Sequence, residues 1–179
     1  MKVQFGCGSN FLEGWKNHDS DVDITKKLPY PDESVDIVFC EHCIEHIEYE
    51  QFVFFTEECF RILKEGGRIR LATPCIDKIV AIKDKDYIDF ACKRFSRRPS
   101  TYANMINIML TCHGHKFVYD KETLELVLSE RRFKKIKFYN ASVSDVEELC
   151  NLEHHWRKIG KKFNDLETIA IEAIKPKKY

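Results

Sequence analysis

The densest run of chemically capable side chains is Cys40-Glu41-His42-Cys43-Ile44-Glu45-His46, where acids and imidazoles alternate. An imidazole titrates near neutral pH and is the natural agent for taking a proton from a hydroxyl nucleophile. His42 and His46 are therefore candidate catalytic bases, with His115, far along the chain, as a third. His46 can equally pack at a helix start. The run also holds one Cys-x-x-Cys pair, but no second pair follows, and helical spacing would put His42 and His46 on one face with Cys43 turned aside. No metal ligand set is assigned. His154-His155 lies in a polar stretch and reads as solvated.

A second feature lies at the start of the chain, in Lys2-Val3-Gln4-Phe5-Gly6-Cys7-Gly8-Ser9-Asn10. An apolar-alternating strand enters a glycine turn, and without Cβ atoms Gly6 and Gly8 let the backbone approach a bound molecule closely. Asp19 stands thirteen positions past Gly6, against roughly 20 in a dinucleotide fingerprint. No third glycine follows to open a pyrophosphate-binding helix, so a nicotinamide cofactor ranks low. An acid at the end of a second strand can still accept both hydroxyls of a ribose. Asp21 reads as part of a solvated turn.

These residues need a sheet to carry them. After the glycine turn the first crossover is shortened to a loop, and Trp15 to Asp19 reads as a short second strand. Val35 to Cys40, β-branched and aromatic, reads as a strand buried on both faces, delivering Glu41 to His46 at its C-terminal edge. Phe52, Phe55, Cys59, Ile62 and Leu63 mark one face of a helix over Tyr49–Lys64, stopped by Gly66-Gly67, and Arg68 to Pro74 is the next strand. Residues 75–117 interrupt the alternation with two helices, Ile76–Phe95 and Tyr102–Thr111, an insertion expected to overhang the ligand site as a lid. Arg94, Arg97 and Arg98 within it can be solvated or can bind an anion. Asp120 can cap a helix, and Lys135–Ala141 and Leu166–Ile174 form an antiparallel finish around a polar excursion, Ser142–Asp165.

The chain has 179 residues, enough for one well-buried core, so residues 1–179 are expected to form a single domain. Zero formal charge hides an asymmetry: residues 1–90 carry 11 Lys and Arg against 18 Asp and Glu, and the second half reverses this. An acidic first half suits a cationic ligand. The eight cysteines are scattered and read as small buried hydrophobes. Neither a secretory pattern nor a long apolar run is evident, and the protein is expected to be cytoplasmic with no membrane partner.

Together the motifs resemble those of small class I S-adenosylmethionine-dependent methyltransferases of the type 11 kind, over nearly the whole chain. Phe5-Gly6-Cys7-Gly8-Ser9-Asn10 resembles the first cofactor motif, Asp19 the ribose acid, Asp23-Ile24 with Leu28-Pro29-Tyr30 the adenine-side segment, and Ser34 to Val38 the fourth strand. Glu45-His46, Arg61 to Gly67 and His115 to Asp120 are similar to segments of one subfamily with a shortened first crossover. The resemblance implies an α/β, Rossmann-like class I methyltransferase fold: a mostly parallel twisted sheet, an antiparallel last strand and a helical lid. It implies S-adenosyl-L-methionine as cofactor, held by Phe5, Gly6, Cys7, Gly8, Asn10, Asp19, Asp23, Ile24, Cys40 and Glu41. It also implies a small-molecule acceptor, such as a sugar or glycan precursor, and no nucleic-acid partner. Gln4 stands where most members carry an acid, and Asn10 where many carry a third glycine; Gln4 can accept a hydrogen bond but supplies no charge. Two alternatives stay open: a metal-assisted methyltransferase acting on an RNA terminus, and a cofactor-binding protein without turnover.

Overall fold

The computed structural model describes residues 1–178. Lys2–Phe5 forms β1 and Lys16–His18 a short parallel neighbour, β2, while Val35–Glu41 forms β3 on the other side of β1, with Val3 opposite Val38. A single 3-10 turn, Ile44–His46, leads to helix α1, Tyr49–Ile62, and then to β4, Leu63–Pro74. Three helices follow, α2 (Ile76–Ile79), α3 (Lys85–Arg94) and α4 (Tyr102–Thr111), then α5 (Lys121–Glu130) and β5 (Lys134–Asn140). Short helices α6 (Trp156–Ile159) and α7 (Lys161–Glu167) precede β6, Thr168–Ile174. The six strands lie in the order β2-β1-β3-β4-β6-β5, with β6 antiparallel to both neighbours. A mostly parallel sheet finished by an antiparallel strand is what the sequence predicts.

Local chemistry explains the element ends. Glu48 and Gln51 close a capping box at the start of α1, and the side chains of Asp84 and Asp120 accept from Tyr87 N and Thr123 N to cap α3 and α5. The cap at Asp84 corrects one expectation: the helix drawn over Ile76–Phe95 is two helices, because Asp84 takes an extended conformation to start the second. Likewise α1 ends at Ile62, ahead of the glycine pair, since Leu63 is already extended, so β4 begins five residues earlier than read and contains Gly66-Gly67. The last strand starts at Thr168, because Leu166 belongs to α7.

Three apolar clusters position the site. The largest packs Phe52, Phe55, Cys59 and Ile62 of α1 and Leu124, Val127 and Leu128 of α5 on the sheet. A second, around Tyr87, Cys92, Met105 and Ile108, gives the 75–117 insertion a core of its own. The third joins Ile37 and Phe39 of β3 to Leu149 and Leu152, with Leu12 and Trp15 at its edge. The polar excursion thus supplies apolar cover for a sheet face that the shortened first crossover leaves bare. All eight cysteines are free thiols, five of them buried. Among the described residues no helix is long and apolar enough to cross a membrane.

One ion-pair cluster ties the Pro-rich turn to α1. Glu58 accepts from Leu28 N at 2.8 Å and from Arg61 Nε and Nη2 at 2.8 and 2.7 Å, while Arg61 Nη1 reaches Asp32 at 2.7 Å. The Arg61 hydrogen bonds hold the Glu58 carboxyl below its ordinary range. A depressed folded value means that the stabilisation is fully present above the unfolded carboxyl pKa of about 4.3 and fades as pH falls through the folded one. The urea midpoint of the native chain is therefore expected to exceed that of Glu58→Gln at pH 7, with the gap closing below about pH 4. A gap constant down to strongly acid pH would refute the assignment.

Candidate active site

β1 ends at Phe5, and the turn beyond it needs glycine for two different reasons. Gly6 has φ +67°, and a Cβ there would stand 2.8 Å from both Cβ and Sγ of Cys43, so its first duty is to admit Cys43 rather than a ligand. Gly8 has φ +49° and open space where a Cβ would lie. Cys7 N donates to His18 O at 2.9 Å, Asn10 N to Cys7 O at 2.7 Å, and Gly8 N to Asp19 Oδ1 at 3.1 Å. Asp19 is thereby fixed at the end of β2 with its other oxygen uncommitted to the loop. For Gly6→Ala the left-handed backbone costs about 1–2 kcal/mol and the overpacking about 1–3 kcal/mol. Adding Cys43→Gly should restore only the packing share, read as a partial recovery of the urea midpoint.

The glycine turn, with Asn10, Glu41 and His42, lines one wall of a cleft whose other wall is His154, His155, Arg157 and Lys158. This second wall is a strap clasped at the strand end: Glu41 accepts from His154 N at 2.9 Å and from His155 N at 2.8 Å, and Asn10 Nδ2 donates to Leu152 O at 3.0 Å. Burial pushes the Glu41 carboxyl up despite these bonds. With the strap in place the cleft holds about 120 Å³, less than the roughly 300 Å³ at the small end of ligand pockets. Two buried acceptors, Gln4 Oε1 and Asn10 Oδ1, have no hydrogen-bond partner among the described residues. Of the two, Asn10 lines the cleft, and its unpaired acceptor, with an acid at each strand end, fits a ligand that brings N–H and O–H donors.

The residues expected around a cofactor divide accordingly. Gly6, Cys7, Gly8, Asn10 and Glu41 line the cleft, and Asp19 stands at its rim. The side chains of Phe5, Ile24 and Cys40 turn into the core instead, so these three can serve a ligand only through backbone or by supporting the strand ends. Asp23 folds onto its own turn, accepting from Thr25 N at 3.0 Å and Thr25 Oγ1 at 2.6 Å, and these bonds hold its carboxyl at about 2.

Beyond the end of β3 lies a second cavity of about 210 Å³, walled by α3 and α4 and lined by His42, Glu45, His46, His113, His115 and His155. His42 has φ +47°, which swings its ring to where the two cavities meet. Its Nδ1 lies 3.2 Å from Glu45 Oε1 and its Nε2 3.0 Å from Thr168 Oγ1. Burial alone would lower the His42 pKa, but the Glu45 carboxylate outweighs it and holds the imidazole above its ordinary value. Glu45 responds in kind: burial would raise it, and His42 brings it down.

His154-His155 is not solvated as expected. His155 stacks on His42 at 3.8 Å between ring centroids, and burial, followed by the His42 charge, depresses its pKa to about 2. His46 and His115 meet edge to face at 5.1 Å. The three candidate bases therefore share one cavity, joined by residues that periodicity could not supply: His155, Tyr87 and Glu167, where Tyr87 Oη donates to Glu167. The doubled histidine was the only hint in the sequence. Residues 44–46 form a 3-10 turn rather than the helical spacing assumed, which brings Glu45 back beneath His42.

Residues 4–71, which include the end of β1, the glycine turn, β3 and its C-terminal edge, match the family model described as a methyltransferase domain. A Mycolicibacterium smegmatis protein named "Probable S-adenosylmethionine-dependent methyltransferase" is 47% identical over 49 residues, which are 27% of this chain and 18% of that protein. The chain thus spans less than a fifth of that relative's length. Among solved structures, a SAM-dependent methyltransferase from Archaeoglobus fulgidus superposes with TM-score 0.56 at 19% identity, covering 97% of this chain and 85% of the other. A Haemonchus contortus phosphoethanolamine N-methyltransferase, solved with phosphomonomethylethanolamine and S-adenosylhomocysteine, gives 0.53 at 11% identity over 98% of this chain and 49% of that one. These likenesses fix the fold as that of the class I methyltransferases.

Proposed function

We propose that this chain, with the class I methyltransferase fold and a methyltransferase-domain match over residues 4–71, binds S-adenosyl-L-methionine in the glycine cleft and transfers its methyl group to a small hydroxyl-bearing acceptor in the adjoining cavity. The observation that carries the reading is that His42 and His155 line both cavities, so a donor in one and an acceptor in the other meet across the His42 ring.

The cofactor supplies a methyl group on a positively charged sulfur, ready for in-line displacement. The chain's part is to hold, align and exclude water. Asn10 Oδ1, on the cleft wall, is an acceptor free to take a donor of an amino-acid ammonium, and Asp19 those of a ribose. In the second cavity the neutral form of His42 keeps its proton on Nδ1, toward Glu45, and presents the Nε2 lone pair where Thr168 Oγ1 now sits. Thr168 has a second partner 3.2 Å away in Asn164 Oδ1, so the acceptor's hydroxyl can replace it at His42 and lose its proton there. At about 210 Å³, also below the roughly 300 Å³ at the small end of ligand pockets, the cavity under two helices limits the acceptor to a small molecule such as a sugar or glycan precursor.

Admitting a nucleoside requires the strap to leave Glu41. Adding S-adenosylhomocysteine is accordingly expected to change hydrogen exchange at the His154 and His155 amides, which bond to that carboxylate. Unchanged exchange there under saturating ligand would contradict this mode of entry.

A further inference from the structure

We infer that Glu45, His46 and His115 form a binding site for a first-row divalent transition-metal ion on the acceptor side of the cavity. One ligand atom from each lies within 4.8 Å of the others. The three do not depend on a loose loop to meet. Glu45 and His46 share the 3-10 turn after β3, and the segment carrying His115 is stitched to that turn by Lys116 N and Phe117 N, which donate to Glu45 O at 2.8 and 3.3 Å. Tyr119 Oη adds a bond to Ile44 O at 3.3 Å.

Two further observations point to a ligand. Glu45 is fully buried; its Oε2 accepts from Thr73 Oγ1 at 3.0 Å, while its Oε1 faces the His42 ring at 3.2 Å without a well-aligned hydrogen bond. The imidazole beside it offsets part of the cost of burying the carboxylate, and the poorly aligned oxygen keeps lone-pair capacity for a second cation. His115 Nδ1 lies 2.7 Å from Met109 O, and a carbonyl can only accept. That nitrogen therefore carries the proton, and Nε2 keeps the lone pair a metal requires, the usual way a backbone carbonyl fixes a ligating imidazole. His42, 3.2 Å from Glu45 Oε1, takes the outer position of a group orienting the carboxylate.

A neighbouring triple, His42, His155 and Glu167, is also close enough to share an ion. It is the poorer site, because both His42 nitrogens already face Glu45 and Thr168, and Glu167 accepts from Tyr87. Two imidazoles and one carboxylate, with remaining positions open to a cavity, suit zinc or a similar ion rather than calcium or magnesium, which prefer all-oxygen shells. An ion here would grip an oxygen of the acceptor and ease loss of its proton, a role that rests on the methyl-transfer reading; the binding itself does not.

The test is a titration of the untagged chain with cobalt(II), followed by visible ligand-field absorption, with calorimetry for zinc. One equivalent is expected to bind with an absorption typical of nitrogen and oxygen ligands. Glu45→Gln, His46→Ala and His115→Ala should each weaken binding at least about tenfold, and the His46→Ala/His115→Ala pair should abolish it. His155→Ala should leave it intact. Circular dichroism and S-adenosylhomocysteine calorimetry on the same variants establish that they are folded. The inference is overturned if no saturable site is found, if the double variant binds as well as the native chain, if His155→Ala removes the site, or if a thiolate charge-transfer band shows that the cysteines hold the ion. An intact cobalt spectrum without S-adenosylhomocysteine binding would sink the methyl-transfer reading alone.

Discussion

Replacing Arg70 by leucine is expected to cost about 3–5 kcal/mol of folding stability, the largest effect of any single substitution considered. Arg70 is wholly buried on β4, with Nε 2.6 Å from Glu153 Oε1 and Nη1 bonded to Glu172 and, at 3.1 Å, to Val143 O. Glu153 passes the restraint on by accepting from Ser142 N at 2.7 Å. The burial that would lower the arginine's pKa is overcome by the two carboxylates, which raise it. Removing the guanidinium leaves two acids enclosed without a counter-charge, and they can only protonate or draw in water. Because the same triad anchors the segment leading into the strap, Arg70→Leu should also raise hydrogen exchange at His154 and His155. Converting all three residues to apolar ones of similar volume should recover most of the loss, since a well-packed apolar replacement avoids the desolvation cost. A urea midpoint for Arg70→Leu close to that of the native chain would refute the account of the triad.

His42→Asn should lower kcat by about 10²- to 10⁴-fold, the span general-base catalysis contributes, while cofactor affinity stays near that of the native chain. Asparagine is the informative replacement. It tolerates the left-handed backbone at φ +47° far better than alanine, so a loss of activity is not a loss of fold. It also keeps a polar group between Glu45 and Thr168 but cannot take up a proton. Measuring kcat beside the dissociation constant of S-adenosylhomocysteine separates the two roles. A variant with undiminished kcat would show that alignment alone drives the transfer and that His42 is a wall.

Much of the architecture was legible because period and punctuation were clear. The β-branched run Val35 to Cys40, the helical face of Phe52, Phe55, Cys59 and Ile62, and the cap at Asp120 lie where local chemistry puts them. The glycine turn and Asp19 were equally readable, since φ above zero and an acid at a strand end are local demands. What escaped was long-range. Glu41 looked like an acid free for a ligand, yet it is clasped by amides 113 and 114 positions away. His155 looked solvated because its own stretch is polar, and only tertiary packing lays it on His42. Nothing in the chain neighbours of Arg70 or Glu153 announced a buried triad. Gly6 was read correctly as a position needing glycine, but the group that needs the room is Cys43.

The central claim, that the glycine cleft takes an S-adenosyl ligand, is tested most directly by calorimetric titration of the native chain with S-adenosylhomocysteine, alongside Asp19→Ala. The account predicts a single saturable site in the native chain and clearly weaker binding once the Asp19 carboxylate is gone. Absence of any heat of binding at high micromolar ligand, or affinity that ignores the loss of Asp19, would contradict it.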